Sequence, residues 1–157
     1  MILDFHVHVY PDDIAPRAIE SLYDTYTFRP YTDGTVSGLL KSMGNTNIDY
    51  AVLQPVATKP LQVNTINDIA IDNGDDRFIP FGTIHVDYSN PVDEIQRLIA
   101  SNIKGIKIQG NWQGFAVNDP GMFPIYEAAS DKLIVMFHAG QEIAPLENIY
   151  AAPHLIR

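Results

Sequence analysis

Short apolar runs alternate with amphipathic helical segments along this chain, and that alternation is the feature that most limits its fold. Strands that alternate with helices in this way are typical of parallel βαβ units. No linker, low-complexity tract or change of composition divides the sequence, so we predict one α/β domain over residues 1–157 with about five parallel strands. The predicted strands are Asp4–Val9, Tyr50–Leu53, Phe78–His85, Gly105–Gln109 and Leu133–His138.

The helical segments follow from apolar residues three and four positions apart and from residues that end helices. A helix is predicted over Val36–Met43, where Gly44 ends it, and another over Gln62–Asn73, where Gly74 ends it. Asn90 and Pro91 are typical of a helix start. The stretch Asn111–Gln113 is predicted to be a polar and aromatic loop.

Two histidines lie in the first predicted strand, in the order Asp4-Phe5-His6-Val7-His8-Val9. Side chains two residues apart share one face of a strand, so Asp4, His6 and His8 are expected on one side. Two imidazoles about 6.6 Å apart along a strand can converge on one ion, since Zn–N bonds are about 2.0–2.1 Å long. A histidine pair of this kind also occurs inside ordinary cores, so the pattern alone leaves both interpretations open.

Composition excludes several classes of function. The formal net charge of -9 argues against nucleic acid or an anionic membrane as partner. The chain has no cysteine, which removes thiolate chemistry and Cys-type zinc sites. It has neither a secretory signal pattern nor an apolar run of about 18 residues, so we expect a cytoplasmic protein. No phosphate-binding glycine motif supports a nucleotide cofactor.

Four stretches together resemble the amidohydrolase superfamily: Asp4-x-His6-x-His8 with the Pro11 region after it, Lys104–Ile108, Gln113–Glu127, and Phe137-His138-Ala139-Gly140. The branch that they resemble most includes the aminocarboxymuconate-semialdehyde decarboxylases. The resemblance spans nearly the whole chain, and the order of the motifs is more specific than any one of them.

The resemblance implies a TIM-type (β/α)₈ barrel with a divalent metal at its C-terminal mouth, zinc first and manganese second. His6, His8 and His138 match three of the family's metal ligands, and the ligands from later strands have no counterpart before Arg157. Such a barrel needs about 250 residues. We therefore expect the N-terminal part of a barrel, completed by a missing C-terminal half or by a second copy of the chain.

The remaining candidate residues surround the same expected mouth. Asp4 is expected either to accept a hydrogen bond from an imidazole and hold it in the right tautomer, or only to cap the floor of the barrel. The candidates for substrate contact are Lys107, Gln109, Asn111, Trp112 and His85. Lys107 corresponds to a strand-four lysine that is carboxylated in some amidohydrolases, but pairing with a substrate carboxylate or a packing role fits better here. A packing role is the competing interpretation for His85 and Trp112 as well.

The sequence leaves three hypotheses about the function of this chain. The first is a metal-dependent hydrolase in which activated water attacks a small carboxylate, amide or ester, or a non-oxidative decarboxylase of the same branch. The second is a phosphoesterase of the PHP or TatD type. The third is a catalytically inactive half-barrel.

Overall fold

The computed structural model describes residues 1–26, 30–72, 75–140, 142 and 148–156, and in these residues six short strands form two parallel sheets. The strand orders are β1-β2-β3 and β4-β5-β6. Every pairing is parallel, as predicted. The strands are β1 Leu3–Val7, β2 Tyr50–Leu53, β3 Phe78–Pro80, β4 Gly82–Thr83, β5 Gly105–Ile108 and β6 Ile134–Phe137.

Helices connect the strands and cover one side of the sheets. Within the described residues, none of them is both long enough and apolar enough to span a membrane. The α-helices are α1 Ala15–Tyr26, α2 Val36–Thr46, α3 Val63–Ile71, α4 Pro91–Ala100, α5 Gly110–Gln113 and α6 Phe123–Ala129. Short 3-10 turns occupy Pro60–Gln62, Pro120–Met122 and Pro153–Leu155.

The prediction of one continuous strand over Phe78–His85 is wrong. Its two parts, β3 and β4, belong to different sheets, and Phe81 lies between them. The Phe81 N–H donates to Leu53 O at 2.9 Å, while the Phe81 side chain is 1% exposed. Pro80 has no N–H to offer a sheet, and a β-carbon on Gly82 would lie 2.6 Å from Leu98 of α4. The strand therefore breaks where an aromatic ring turns inward and a helix approaches closely.

The faces of β5 separate the hydrophobic core from the candidate site. Ile106 and Ile108 are fully buried in the main core, with residues of α3, α4 and α6. Because successive side chains of a strand point to opposite faces, Gly105 and Lys107 lie on the other face, toward the inside of a barrel. The sheet register pairs Lys107 with Thr83 of β4 and Met136 of β6.

Two local predictions need correction. Helix α2 passes through Gly44 and ends at Thr46, because Asn47 adopts the left-handed conformation with φ 55° and its N–H bonds to Met43 O. The segment Asn111–Gln113 lies in the single helical turn α5, not in a loop. The predicted stop at Asn73 and Gly74 lies outside the described residues.

Candidate metal centre

His6 and His8 lie at the carboxyl end of β1, and their rings meet. The two Nε2 atoms are 3.1 Å apart, and the ring centroids are 5.0 Å apart. The neighbouring valines, Val7 and Val9, pack on the helix side against Met43 and other core residues. The predicted convergence of the two imidazoles on one face is therefore present.

Asp4 does not share the face of the two histidines. The register pairs Asp4 with Ala51 and Val7 with Leu53, so the pairing advances three residues along β1 but only two along β2. This bulge puts Asp4 on the same face as Val7. Its Oδ1 accepts from the backbone N–H of His6 at 3.1 Å. The face predicted for Asp4 is therefore wrong, its hydrogen bond goes to the backbone of His6, and support of an imidazole by Asp4 stays a prediction.

The surroundings of the histidine pair favour neutral imidazoles. His8 is exposed as a residue, yet desolvation of its side chain lowers its pKa to about 4, and His6 and Lys107 lower it further. Desolvation, Lys107 and His138 also lower the pKa of His6, against an opposing effect of Asp4. Neutral imidazole is the form that binds metals.

Lys107 brings a buried cation to the same point. Its side chain is 1% exposed, and its Nζ lies 3.4 Å from His6 Nε2. Burial lowers its pKa to about 8, and the negative charge of Glu142 partly opposes this effect. At neutral pH the ammonium form still predominates. Among the predicted substrate residues, Lys107 is the one that the structure brings into direct contact with the histidine pair.

His138 follows β6 and faces the same interior. Its N–H donates to Ile108 O at 2.9 Å, which continues the pairing of β5 and β6 by one residue. Its ring centroid is 6.5 Å from that of His6. Its Nε2 lies 3.5 Å from Glu142 Oε1, and the Glu142 side chain is 6% exposed.

Glu142 is the residue of this region that the sequence did not reveal. Its Oε1 accepts from Gln109 Nε2 at 2.9 Å and from Asn111 Nδ2 at 3.2 Å. Its Oε2 accepts from Tyr26 OH at 3.2 Å. The carboxylate thus joins α1, the end of β5, α5 and the segment after β6.

Gln109, Asn111 and Trp112 form a rim around this carboxylate. Asn111 also donates to Gly140 O at 3.1 Å and accepts from Tyr150 N at 2.9 Å. The Trp112 Nε1–H donates to Tyr26 OH at 2.9 Å, and the two rings stack with centroids 6.1 Å apart. These three predicted residues lie together, and their hydrogen bonds go to other groups of the protein.

His85 lies apart from that network. It is 4% exposed, its Nε2 is 3.2 Å from Gln113 O, and its Nδ1 accepts from Asp87 N at 3.2 Å. Its ring packs edge-on against Phe115. Both ring nitrogens have protein partners, which is the environment of a packed histidine; substrate contact by His85 stays a prediction.

The spacing of two predicted ligands is compatible with a shared metal ion, and equally with a hydrogen bond between two neutral imidazoles. Ligand atoms bonded to one tetrahedral zinc at about 2.0–2.1 Å lie about 3.3 Å from each other, close to the 3.1 Å between the two Nε2 atoms. A third ligand is not in place: within the described residues, no group of three His, Cys, Asp or Glu side chains is arranged to hold a metal. Metal binding by His6, His8 and His138 therefore stays a prediction.

Comparison with solved structures identifies the fold. An amidohydrolase II matches 95% of this chain and 54% of its own length, with a TM-score of 0.67 and 18% identity. The 5-carboxyvanillate decarboxylase of Sphingomonas paucimobilis matches 89% of this chain and 52% of its own, with a TM-score of 0.63 and 16% identity. A single-residue variant of the enzyme of that name from Novosphingobium aromaticivorans, with manganese and 3-methoxy-4-hydroxy-5-nitrobenzoic acid bound, matches 92% of this chain and 52% of its own, with a TM-score of 0.68 and 21% identity.

These similarities confirm the predicted fold class. The chain is a partial α/β fold of the TIM-barrel type found in amidohydrolases, and it spans about half the length of the structures it matches. No protein-family model matches the sequence, and no curated protein matches it. At this level of identity, the resemblance extends to the fold, and the chemistry must be argued from the residues.

Proposed function

We propose that this chain forms the histidine-bearing half of a metal-dependent hydrolase of the amidohydrolase type. The observation that carries the proposal is the position of the His6 and His8 Nε2 atoms, 3.1 Å apart at the carboxyl end of a parallel strand. In TIM barrels, the carboxyl ends of the strands carry the active site. The lowered pKa values of both rings keep them in the form that binds a metal.

In this proposal His6 and His8 hold a divalent cation, with His138 as the third ligand. A divalent metal, when bound, lowers the pKa of its water to about 7 and so supplies hydroxide at neutral pH. Lys107 binds and orients a substrate carboxylate or carbonyl, because its buried ammonium lies beside His6. Gln109, Asn111 and Trp112 shape the rim, and Asp4 supports the strand through the His6 backbone.

Decarboxylation is the second candidate, and two of the matching structures support it. Two of the matching structures are 5-carboxyvanillate decarboxylases, and one of them contains manganese. A buried lysine beside the histidine pair suits a carboxylate substrate in both reactions. Zinc and manganese are therefore both candidates for the cation, and a small carboxylate is the substrate class that we propose.

The proposal includes assembly, because His6, His8 and His138 do not converge on one point within the described residues. We propose that residues 1–157 are one domain, the N-terminal part of a barrel, and that a second copy or a C-terminal half completes the site. We also propose that the protein works in the cytoplasm. A phosphoesterase or an inactive half-barrel are the alternatives that the experiment below distinguishes.

The first test is metal content by elemental analysis, after reconstitution with zinc or manganese. We expect close to one ion per chain or per completed site, and its loss in the H6A/H8A double variant. The matched control is H154A, which removes an exposed imidazole far along the sequence from the pair. Metal content that is unchanged in H6A/H8A would refute the proposed site.

The second test is the reaction. Reconstituted protein is incubated with carboxylates, amides, esters and phosphoesters, and the release of CO₂, acid and phosphate is followed separately. We expect CO₂ or acid release that stops on chelation and in H6A/H8A. Phosphate release alone would favour the phosphoesterase, and a metal-loaded, correctly assembled protein inert to every substrate would favour the inactive half-barrel.

A further inference from the structure

The bulge in β1 lies where His6 enters the candidate site. In this bulge the pairing of β1 with β2 slips by one residue. Two consecutive side chains therefore face the inside of the barrel: Phe5 packs edge-on against Phe81 at 6.0 Å, and His6 contacts Lys107 at 3.4 Å. A bulge disrupts the regular hydrogen bonds between strands and redirects the side chains beside it. The carbonyl groups of the bulge need other donors.

Gln54, the residue after β2, donates hydrogen bonds to β1 on both sides of His6. Its backbone N–H donates to Val7 O at 2.8 Å, and its side-chain Nε2 donates to Phe5 O at 2.5 Å. The backbone of Gln54 also forms a hydrogen bond with His8. One residue therefore contacts the main chain on either side of one histidine and the side chain of the other.

The distance between the two imidazoles depends on this part of the backbone. Residues two apart in a regular strand are separated by about 6.6 Å along it. The Nε2 atoms of His6 and His8 lie 3.1 Å apart, so the two side chains lean toward each other. The bulge bends the backbone that carries His6, and the two carbonyls that Gln54 binds lie on either side of that bend.

The side chain of Gln54 contributes less to stability than its burial suggests. It is fully buried, and its Oε1 has no hydrogen-bond partner among the described residues. A buried polar atom without a partner lowers stability, which offsets the gain from the bond to Phe5 O. An apolar side chain of the same length would stabilise the fold about as well, but it could not donate to Phe5 O.

We propose that Gln54 is a positioning residue whose side-chain amide fixes the bulge in β1 and, through it, the contact between the His6 and His8 rings. That contact belongs to the metal-free chain, so this part of the inference does not depend on the proposed function. The consequence for a metal rests on the proposed function: the amide keeps the two nitrogens in one geometry for the cation. Loss of the amide then weakens the binding of a divalent cation.

The first measurement uses nuclear magnetic resonance on the chelator-treated full chain. The side-chain NH₂ of Gln54 should exchange slowly with water, because it is buried and donates to Phe5 O. Long-range proton–nitrogen correlation spectra show which nitrogen of each imidazole carries the proton. In a hydrogen bond between two neutral rings, one Nε2 donates and the other accepts. We therefore expect His6 and His8 in opposite, fixed tautomers.

The variant Q54M removes the donor and keeps the length of the side chain. A cleft of about 550 Å³, which Gln54 and His8 both line, gives the new side chain room to adjust. In Q54M both rings should approach the mixture of tautomers of free histidine. Q54N is the second variant: it keeps the amide but is one methylene shorter, so it cannot reach Phe5 O and should change the rings in the same way.

Gln113 provides the matched control. It is also buried, and its Nε2 donates to Ala57 O at 2.9 Å and to Ile84 O at 2.7 Å, while its Oε1 accepts from Gln109 N at 2.8 Å. Q113M leaves three backbone groups without a partner, so it should lower the urea midpoint clearly and leave the tautomers fixed. Q54M should show the reverse, with a midpoint within about 0.5 M of the unchanged protein.

Metal affinity is measured separately, by competition between the protein and a chelator for zinc. Replacing a residue that orients metal ligands weakens metal binding about 10–100-fold. We expect a loss of about that size in Q54M and no loss in Q113M.

Tautomers that stay fixed in both Q54M and Q54N would overturn the inference, whatever happens to stability. Fast exchange of the Gln54 amide in the unchanged protein, or the same loss of fixed tautomers in Q113M, would overturn it too. A chain that takes up no metal but loses the fixed tautomers in Q54M would refute the proposed function alone. Metal uptake through His6 and His8, with equal affinity and fixed tautomers in Q54M, would refute the positioning role alone.

Discussion

The side chain of Asn67 links helix α3 to strand β4, and we predict that N67A destabilises the whole fold. Asn67 is fully buried. Its Oδ1 accepts from Thr83 N at 2.8 Å, and its Nδ2 donates to Thr83 O at 2.9 Å and to Glu94 Oε1 at 2.6 Å. One amide therefore satisfies both backbone groups of Thr83 and a buried carboxylate.

The size of the effect follows from what N67A leaves behind. A buried polar group that loses its partner costs about 1–3 kcal/mol. The Thr83 N–H and Thr83 C=O each lose a partner, while Glu94 keeps Arg97 at 2.8 Å. We expect a loss of about 3–4 kcal/mol, which is a large part of the total of about 5–15 kcal/mol for a folded domain. The loss also reaches the site, because Thr83 pairs with Lys107.

Urea unfolding followed by circular dichroism measures this loss. With a dependence on urea of about 1–3 kcal/mol per molar, the midpoint of N67A should fall by more than about 1 M. The control is N64A on the exposed side of the same helix, which should change stability by no more than about 0.5 kcal/mol. A loss below about 1 kcal/mol for N67A would show that Thr83 finds other partners and that our reasoning is wrong.

Three further predictions concern packing, pH and the carboxylate at the rim. G105A places a β-carbon 2.5 Å from the Phe81 ring and 2.6 Å from Ile134 O, so thermal unfolding should show a free energy of unfolding lower by about 1–3 kcal/mol. In the control G44A the added β-carbon meets no atom within 4 Å, and the protein should keep its stability. Folding lowers the pKa of His8 from 6.5 to about 4, so the unfolded chain takes up a proton first and the folded state loses stability as the pH falls from 6.5 toward 4. The urea midpoint of metal-free H8Q should therefore depend less on pH in this window than that of the unchanged protein. An equal dependence on pH would contradict the shift. E142Q should weaken metal binding about 10–100-fold in chelator competition, because a charge 3.5 Å from an imidazole nitrogen is lost, while E127Q on an exposed helix face should have no effect.

The sequence was informative wherever the signal is local. Alternation along β1 put His6 and His8 on one side, opposite Val7, and the structure has them so because a strand's side-chain period is two residues. Runs of apolar residues located β2, β5 and β6 within one or two residues. The same period failed for Asp4, since one inserted residue in the pairing of β1 with β2 reverses the face.

Contacts between distant segments were beyond that reasoning. Glu142 receives a hydrogen bond from Gln109, 33 positions away, and another from Tyr26, 116 positions away. Nothing in its local sequence distinguishes it from an exposed glutamate. The break at Phe81 likewise depends on which residues approach it from β1 and β5, where Phe5 packs edge-on at 6.0 Å and Gly105 leaves room for its ring.

Local patterns in the sequence were enough to predict an α/β class with parallel strands and two histidines on one face near the end of the first strand. Hydrophobic periodicity and strand alternation are properties of neighbouring residues, so they are visible in the sequence without a structure. The contact of Lys107 with His6, the place of Glu142 at the rim and the cleft beside His8 became visible in the folded chain alone. Those contacts exist because packed strands and helices bring together side chains that the sequence keeps far apart.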